Sequence, residues 1–375
     1  MATGSLRRFI KSTLAGINIV IALVFLLGCY SNWFDPEKYW FTGLATLSAF
    51  YALLLLIAFL LFWLFTKPVL MMISIISLLL AWQPMKHLFK LRLSPNFTMK
   101  KQNSHIRVMS WNVEHFDILE HKSRPQGKNE MIDLVNTYTP DVACFQEMVG
   151  SDSIPRAINY IPYFMKRLNM ADCFYSYNHK LDFDNDHHFG VIIFSKYPVI
   201  NKKTVGYPPY DYNSIFQYVD ILKGSDTFRV FNFHLQSLKF SDRNKQYIED
   251  PTLKDETDIE NSKNILSKFK RGFLKRGIQS NRIKEEINKS PYPVIVCGDF
   301  NDVPNSYAYN RIGEGLNNAF AEKGAGIGRT YSGISPTLRI DNIFSDQRFE
   351  ILQYIRVQKK LSDHFPIIAD LYFKK

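Results

Sequence analysis

Between positions 12 and 33 the chain carries no charged residue, and between 39 and 66 it again carries none. No other feature restricts the fold so strongly. Residues 14–30 are apolar apart from Asn18, and 53–65 are almost entirely Leu, Ile, Phe and Trp. A helix needs about 20 such residues to cross a bilayer. Lys67 and Pro68 interrupt the pattern, and a third, shorter apolar stretch follows at 69–82. A signal peptide is one short apolar region with a small-residue cleavage site, and three successive segments do not fit that description. A buried helical hairpin in a soluble domain is the competing reading, and the lengths argue against it. Three transmembrane helices are therefore expected within 1–85, making the protein an integral, multi-pass one.

Charge suggests an orientation. Arg7, Arg8 and Lys11 precede the first helix and favour a cytoplasmic N-terminus. Three crossings then place the remainder on the exoplasmic or periplasmic side. Lys86, Lys90, Arg92, Lys100 and Lys101 pull the other way, but the first helix usually dominates. Residues 86–104 read as a basic linker suited to anionic headgroups.

The net charge of +11 is uneven. Residues 1–103 hold ten Lys/Arg against two Asp/Glu, leaving 36 against 33 for 104–375. The large domain, 105–375, is thus nearly balanced, which weakens any inference from basicity to nucleic acid. Its cysteines, 144, 173 and 297, have no metal-type spacing, and Cys144 and Cys297 read as small core residues.

Within that domain apolar runs repeatedly end in polar residues. Residues 106–113 form a β-rich run ending at Asn112 and Glu114. A helix is expected at 129–138, closed by Pro140. Residues 142–147 end in Glu147, and 190–195 form a further strand. Residues 217–222 and 229–234 read as a hairpin around Gly224-Ser225, ending in His234. Val294-Ile295-Val296-Cys297 reads as a strand buried on both faces, followed by Gly298-Asp299-Phe300-Asn301. Asp341 falls in a short strand at 339–344, and Asp363-His364 leads into a closing strand at 366–371. Gly, Asp and Asn all favour turns, so any one such end is unremarkable. Six sets of Asp, Glu, Asn and His are the ingredients of one metal-phosphate site. Oxygen donors without thiolates favour Mg²⁺ or Mn²⁺.

Between His234 and Pro291 lies a long polar insertion. Leu266, Phe269, Phe273, Gly277, Ser280, Ile283 and Ile287 recur at steps of three and four, which predicts a helix over its second half. Its Lys268, Lys270, Arg271, Lys275 and Arg276 read as a solvated face. His187 and His188 read as loop histidines.

Ser110-Trp111-Asn112, Phe145-Gln146-Glu147, Phe233-His234, Gly298-Asp299-Phe300-Asn301, Arg339-Ile340-Asp341 and Ser362-Asp363-His364-Phe365-Pro366 occur in an order that resembles the endonuclease/exonuclease/phosphatase superfamily. The resemblance spans 104–375 and none of the membrane segment. It implies an α/β fold of two packed β-sheets flanked by helices, a four-layer sandwich, and phosphate-ester hydrolysis with a divalent metal, usually Mg²⁺. It also implies roles. Glu147 resembles the principal metal carboxylate, with Asn112, Glu114 and Asp363 beside it. Asp299 resembles the residue that orients or deprotonates water, and Asn301 a phosphate or metal contact. His364 resembles the histidine on the scissile phosphate and Asp341 its carboxylate partner. His234 stands where abasic-site enzymes carry Tyr, which argues against that specificity.

Two catalytic functions follow. One is a membrane-anchored phosphodiesterase or phosphatase acting on lipid headgroups or phosphorylated metabolites. The alternative is a membrane-bound nuclease cleaving DNA or RNA. A catalytically inactive binding module is the third reading, and the intact acid, amide and histidine set speaks against it.

Overall fold

The computed structural model describes residues 2–92, 94, 96–117, 126–151, 159–177, 187–206, 215–250 and 256–374. Residues 152–158, 178–186 and 251–255 are among those outside this description.

The N-terminal part is a helical hairpin with a bent return. α1 (Ala2–Cys29) and α3 (Thr42–Thr66) are joined through the single turn α2 (Pro36–Tyr39), whose start is capped by Asp35. Gly28 sits directly on the Ala45 carbonyl, so the two backbones meet closely. Both helices are long and apolar enough to cross a membrane. The third apolar stretch departs from expectation. It forms α4 (Pro68–Leu80) and α5 (Trp82–Leu88), which meet at a 72° bend. Thirteen residues at about 1.5 Å each fall short of a ~30 Å hydrocarbon core, so no third straight span forms. Asn18, the polar residue inside the first apolar run, is satisfied within the bundle. Its amide donates to Ser74 Oγ at 3.2 Å and accepts from Trp63 Nε1 at 3.1 Å.

The remainder is two six-stranded mixed sheets packed face to face. The first has strand order β11-β12-β1-β2-β4-β3. It is built from β1 (His105–Asn112), β2 (Val142–Gly150), β3 (Asp172–Tyr177), β4 (His188–Ser195), β11 (Phe349–Arg356) and β12 (Ile367–Phe373). The second has order β5-β6-β7-β8-β10-β9. Its strands are β5 (Val199–Gly206), β6 (Ile215–Lys223), β7 (Asp226–His234), β8 (Val294–Asp299), β9 (Leu316–Asn318) and β10 (Asp341–Asp346). Helices α6 (Gly127–Tyr138) and α7 (Ile161–Arg167) cover the first sheet. The second is covered by α9 (Glu256–Asn288) and α10 (Tyr307–Gly313), with α8 (Asp242–Glu249) and α11 (Ala319–Lys323) at its margins. The four-layer sandwich expected from the sequence is present.

Each sheet has one parallel pair at its centre, β1 with β2 and β7 with β8. A parallel pair needs a crossover, which α6 supplies in one case and α8 with α9 in the other. Period-2 alternation then sorts the side chains. Val108, Cys144, Val230, Ile295, Cys297 and Ile343 fill the space between the sheets, whereas Trp111 and Phe145 pack with Met131 of α6 and Phe164 of α7, and Val296 with Ile283 of α9. Fully burying one such side chain stabilises by about 1.5–3 kcal/mol.

The helix of the insertion begins at Glu256, and its supposedly solvated face is partly a docking face. Arg276 is buried, donating to Asp302 Oδ2 at 3.1 Å and to the Gln236 carbonyl at 3.0 Å. Gly277 lies against Pro36, Phe273 against Gly43, and the Lys270 ammonium 5.7 Å from the Trp40 ring. The hairpin turn 30–41 thus rests on α9. The N-terminal hairpin covers the part of that face around Phe273 and Gly277, while Lys270 and Arg271 stay exposed.

Candidate active site

The inner rows of the central strands all become polar at one edge. Along β1 the inward sequence is Val108, Ser110, Asn112; along β7 it is Val230, Asn232, His234; along β8 it is Ile295, Cys297, Asp299. Register does the rest. Asp299 is paired laterally with His234 on one side and with Asp341 on the other. These three lie side by side in one sheet, facing Asn112 from the other.

Glu147 breaks the alternation. Gln146 is the inward residue of β2, so its neighbour ought to face α6. A register shift between Phe145 and Met148, with Glu147 at φ 56°, turns the side chain back to the site. Re-aiming a side chain is a common use of a bulge. Glu114 at φ 44° and Asn301 at φ 49° also occupy the left-handed region. Each such residue costs about 1–3 kcal/mol unless its surroundings compensate, and such residues cluster at functional sites.

Asn112 joins the two halves. Its amide lies 3.2 Å from Glu147 Oε1 and 3.1 Å from Asp299 Oδ2. Asp299 Oδ1 accepts the Asn301 N–H at 2.8 Å, which fixes the turn expected at this strand end. Asn301 is held in turn by the Leu235 carbonyl, 3.0 Å away. His234 Nε2 lies 3.4 Å from Asp299 and 3.7 Å from Glu147. His364 Nδ1 is 2.8 Å from Asp341 Oδ2, and its Nε2 is 3.7 Å from Asp299 Oδ2. Asp363 lies at the rim, its N–H donating to Glu114 Oε2 at 2.8 Å. Of the nine residues singled out from the sequence, Glu147, His234, Asp299, Asn301, Asp363 and His364 line one cavity, and Asn112, Asp341 and Glu114 are tied to them by hydrogen bonds.

The electrostatics separate their roles. Burial pushes the Asp299 carboxyl up to about 6, although the His364 and His234 imidazoles and the Asn301 N–H pull it down. Burial also works to raise Glu147, but His234, His115 and the Asn112 amide outweigh it and hold it below its usual value. Burial opposes charge on His364, yet Asp341 and Asp299 hold its ring protonated well above the ordinary imidazole value. Asp363 is raised, first by burial and then by the Glu147 and Asp341 carboxylates, despite the pull of His364.

Two sets of residues offer donor atoms for a metal, and among the described residues the first is the one whose atoms are already close-set. Asp299, Asp341 and His364 bring ligand atoms within 4.8 Å of one another. A protonated imidazole already committed to Asp341 is a poor ligand, because metal binding needs a neutral ring nitrogen. Glu147, Asn112 Oδ1, Glu114 and Asp363 offer hard oxygens and an excess of negative charge, the donor chemistry that suits Mg²⁺ or Mn²⁺.

Several participants were not singled out from the sequence. His115 Nε2 lies 3.3 Å from Glu147 Oε2. The Tyr331 ring sits 5.0 Å from that of His364, and the Thr330 hydroxyl accepts the Ile340 and Asp341 N–H groups. His115 directly follows the Asn112–Glu114 strand end and was within reach of the same logic. Tyr331 and Thr330 lie in a loop with no periodic or motif signal. His188 is not in a loop: it opens β4, buried and stacked on Tyr177 at 4.2 Å.

A family model described as Endonuclease/Exonuclease/phosphatase family matches residues 109–364, and a domain of unknown function matches 11–88. No curated protein matches the chain. Among solved structures, an endonuclease/exonuclease/phosphatase family protein from Bacteroides thetaiotaomicron is similar at 15% identity and a TM-score of 0.52. It covers 73% of this chain and 100% of its own. The human Nocturnin catalytic domain with bound sulfate anion is similar at 15% identity and a TM-score of 0.51, covering 73% and 97%. These likenesses are of fold. With the family model spanning most of the large domain, and with the six motifs gathered at one edge of the two sheets, the chain belongs to the endonuclease/exonuclease/phosphatase family.

Proposed function

We propose that residues 105–375 form a hydrolase of phosphate esters that works with Mg²⁺, or with Mn²⁺, and is anchored to a membrane by the N-terminal helices. The observation that carries this reading is the convergence of a metal-suited oxygen set around Glu147 with the protonated His364 and the buried Asp299. When bound, the metal neutralises the anionic ester. Glu147, Asn112, Glu114 and Asp363 would hold it.

Asp299 takes the proton of the attacking water. A carboxyl raised toward 6 is a better base near neutrality than an ordinary one. His364, its Nδ1–H fixed by Asp341, presents Nε2–H to a phosphoryl oxygen and stabilises the charge that builds there. His234 and Asn301 flank the same oxygens. Water adds to phosphorus, the ester P–O bond breaks with its electrons going to the leaving oxygen, and that oxygen takes up a proton from solvent while Asp299 returns to solvent the one it accepted.

Topology supports an orientation. Ser31 Oγ donates to the Asn305 carbonyl at 2.8 Å, so the turn between α1 and α3 lies on the catalytic domain. The far end carries Arg7, Arg8, Lys11 and Lys67. With basic residues kept inside, the N-terminus is cytoplasmic, the bent α4–α5 pair returns the chain, and the catalytic domain is exoplasmic or periplasmic.

Full-length protein in detergent, assayed on bis(p-nitrophenyl) phosphate, plasmid DNA, RNA, sphingomyelin and inositol phosphates with and without Mg²⁺, tests the assignment. Metal-dependent release of phosphate or phosphate ester, abolished in Asp299→Ala, is expected. Turnover of nucleic acid alone would favour a nuclease. No turnover of any ester would leave the binding module.

A further inference from the structure

The catalytic cluster is one end of a longer cleft. A cavity of about 400 Å³ begins at Asp299, Asn301 and His364 and ends on the membrane hairpin, at Leu47 and Tyr51 of α3. Ligand sites commonly fall in the range of about 300–1,000 Å³. Leu238, Phe240, Ile334 and Leu338 line it as well. Nothing in phosphate-ester chemistry calls for such walls. They are apolar, and they lead away from the reacting groups toward one of the two helices apolar enough to cross a membrane.

The cleft is built rather than incidental. Leu47 and Tyr51 are four residues apart and so share a helix face. The Tyr51 hydroxyl lies 2.8 Å from Ser335 Oγ, which ties the loop 331–338 to α3. That loop reaches the chemistry at its other end, where Tyr331 packs on His364 and the Ser332 N–H donates to the Asp363 carbonyl at 2.7 Å. Within it Ile334 is held at φ 56°, a conformation that a β-branched residue rarely adopts. An apolar side chain is thus kept in the wall at a position that would suit glycine better. Lys245, on the same cleft, places positive charge near the polar end.

We propose that this cleft receives one hydrocarbon chain of a membrane lipid phosphate ester, and that Leu47 and Tyr51 of α3, together with Ile334, set the preference for a tailed over a water-soluble substrate. The occupant follows from continuity: one end of the groove is the phosphate site and the other is the helix that enters the bilayer. The inference rests on the hydrolase reading above and adds the substrate class to it.

The test uses the full-length protein in mixed micelles with Mn²⁺ or Mg²⁺. The probes are alkyl p-nitrophenyl phosphates from hexyl to tetradecyl, below their aggregation concentrations, with bis(p-nitrophenyl) phosphate as the untailed ester. kcat/KM is expected to rise roughly fourfold for each methylene that enters the cleft, then level off once it is full. The ratio of dodecyl to untailed kcat/KM is expected to fall about tenfold or more in Leu47→Gln and in Ile334→Asp. Using variants from two segments far apart in the chain guards against a folding defect in either. Vesicles of phosphatidylcholine and phosphatidylglycerol form the second arm, in which headgroup release is expected from the intact bilayer. A chain-length-independent rate, an unchanged ratio in both variants, hydrolysis of dissolved esters without release from vesicles, or preference for an oligonucleotide over every tailed ester would overturn the cleft assignment alone. Failure to hydrolyse any ester, tailed or untailed, would instead remove the hydrolase reading on which it rests.

Discussion

His364 Nδ1 stands 2.8 Å from Asp341 Oδ2, and both side chains are buried. The two residues come from opposite sheets: Asp341 opens β10, and His364 precedes β12. The bond therefore spans the sandwich at its polar edge. The backbone supports each partner. Trp111 Nε1 donates to the His364 carbonyl at 2.9 Å, and Thr330 Oγ1 accepts the Asp341 N–H at 3.0 Å. The imidazole is thus fixed in position, in charge and in the direction of its free Nε2.

Asp341→Asn tests that fixation. The amide keeps the shape but removes the charge that keeps His364 protonated. Turnover of any hydrolysed ester is expected to fall about 10²–10⁴-fold, the usual worth of one acid–base group, with KM little changed. Asp341 Oδ1 has no hydrogen-bond partner in the structure, so an amide nitrogen placed there also finds no acceptor. The thermal midpoint should fall as well, by the equivalent of about 1–3 kcal/mol. Unaltered turnover would show that His364 is positioned without Asp341.

Asn232 carries a second link between the sheets. Its amide donates to the Phe145 carbonyl at 3.0 Å and the Ile192 carbonyl at 2.8 Å, while its oxygen accepts Gln146 Nε2 at 2.7 Å. It is fully buried, two residues before His234. The bulge that aims Glu147 begins beside those carbonyls. Asn232→Leu, similar in size, removes three buried hydrogen bonds, with Gln146 Nε2 keeping Ser110 Oγ, and is expected to lose about 2–4 kcal/mol of stability by denaturant titration. Activity should fall even in the folded fraction, because the Phe145–Met148 segment loses its anchor.

Much of this site was legible in the sequence because period-2 alternation and strand ends are local signals. Asn112, His234 and Asp299 are inward residues at the ends of inward rows, and the apolar residues before them announce the strands. The link from Asn232 and Gln146 was not legible. An Asn and a Gln inside apolar strands say only that something must satisfy them, and their partners lie 40 or more positions away in sequence. β3, β5, β9 and β11 were missed, and these are the four edge strands; Val199–Gly206, for one, is mostly exposed and polar, so edge pairing, not burial, makes it a strand. The bend at Ala81 that shortens the third apolar stretch was equally hidden, since hydropathy reports composition and not direction. Arg276 was assigned to water because its neighbours are basic, whereas the buried carboxylate that pairs with it is set by the turn after β8.

Glu286 supplies a pH dependence away from the site. It lies on α9 with Lys289 Nζ at 3.0 Å and Lys203 Nζ at 3.1 Å. Burial works to raise its carboxyl, but hydrogen bonds from Lys289 and Lys203 outweigh that and lower it. An acid depressed on folding stabilises fully above its unfolded value, ordinarily near 4.5, and loses that contribution as pH falls through the folded value. Both lysines are largely exposed, so screening limits the gain to about 0.5–1 kcal/mol. Glu286→Gln should lower the thermal midpoint in detergent at pH 7 and converge with the wild type in the acid range. A constant difference across that range would remove the ion pairs as the cause.

Glu147 is the residue on which metal binding should depend most, and its geometry separates two explanations of any loss. The bulge at Phe145–Met148 belongs to the backbone and does not need the carboxylate. Glu147→Gln therefore leaves fold and cleft in place while removing a charged oxygen donor and the partner of His234 and His115. Mn²⁺ affinity, read by electron paramagnetic resonance of the free ion, is expected to weaken at least about tenfold, as metal sites do when a supporting group is lost. Asp341→Asn should leave that affinity within about twofold, because Asp341 is committed to His364. Were the metal instead held by Asp299, Asp341 and His364, the order would reverse, with Asp341→Asn abolishing Mn²⁺ binding and Glu147→Gln sparing it. One titration of the two variants thus decides which cluster holds the ion and which handles the phosphate.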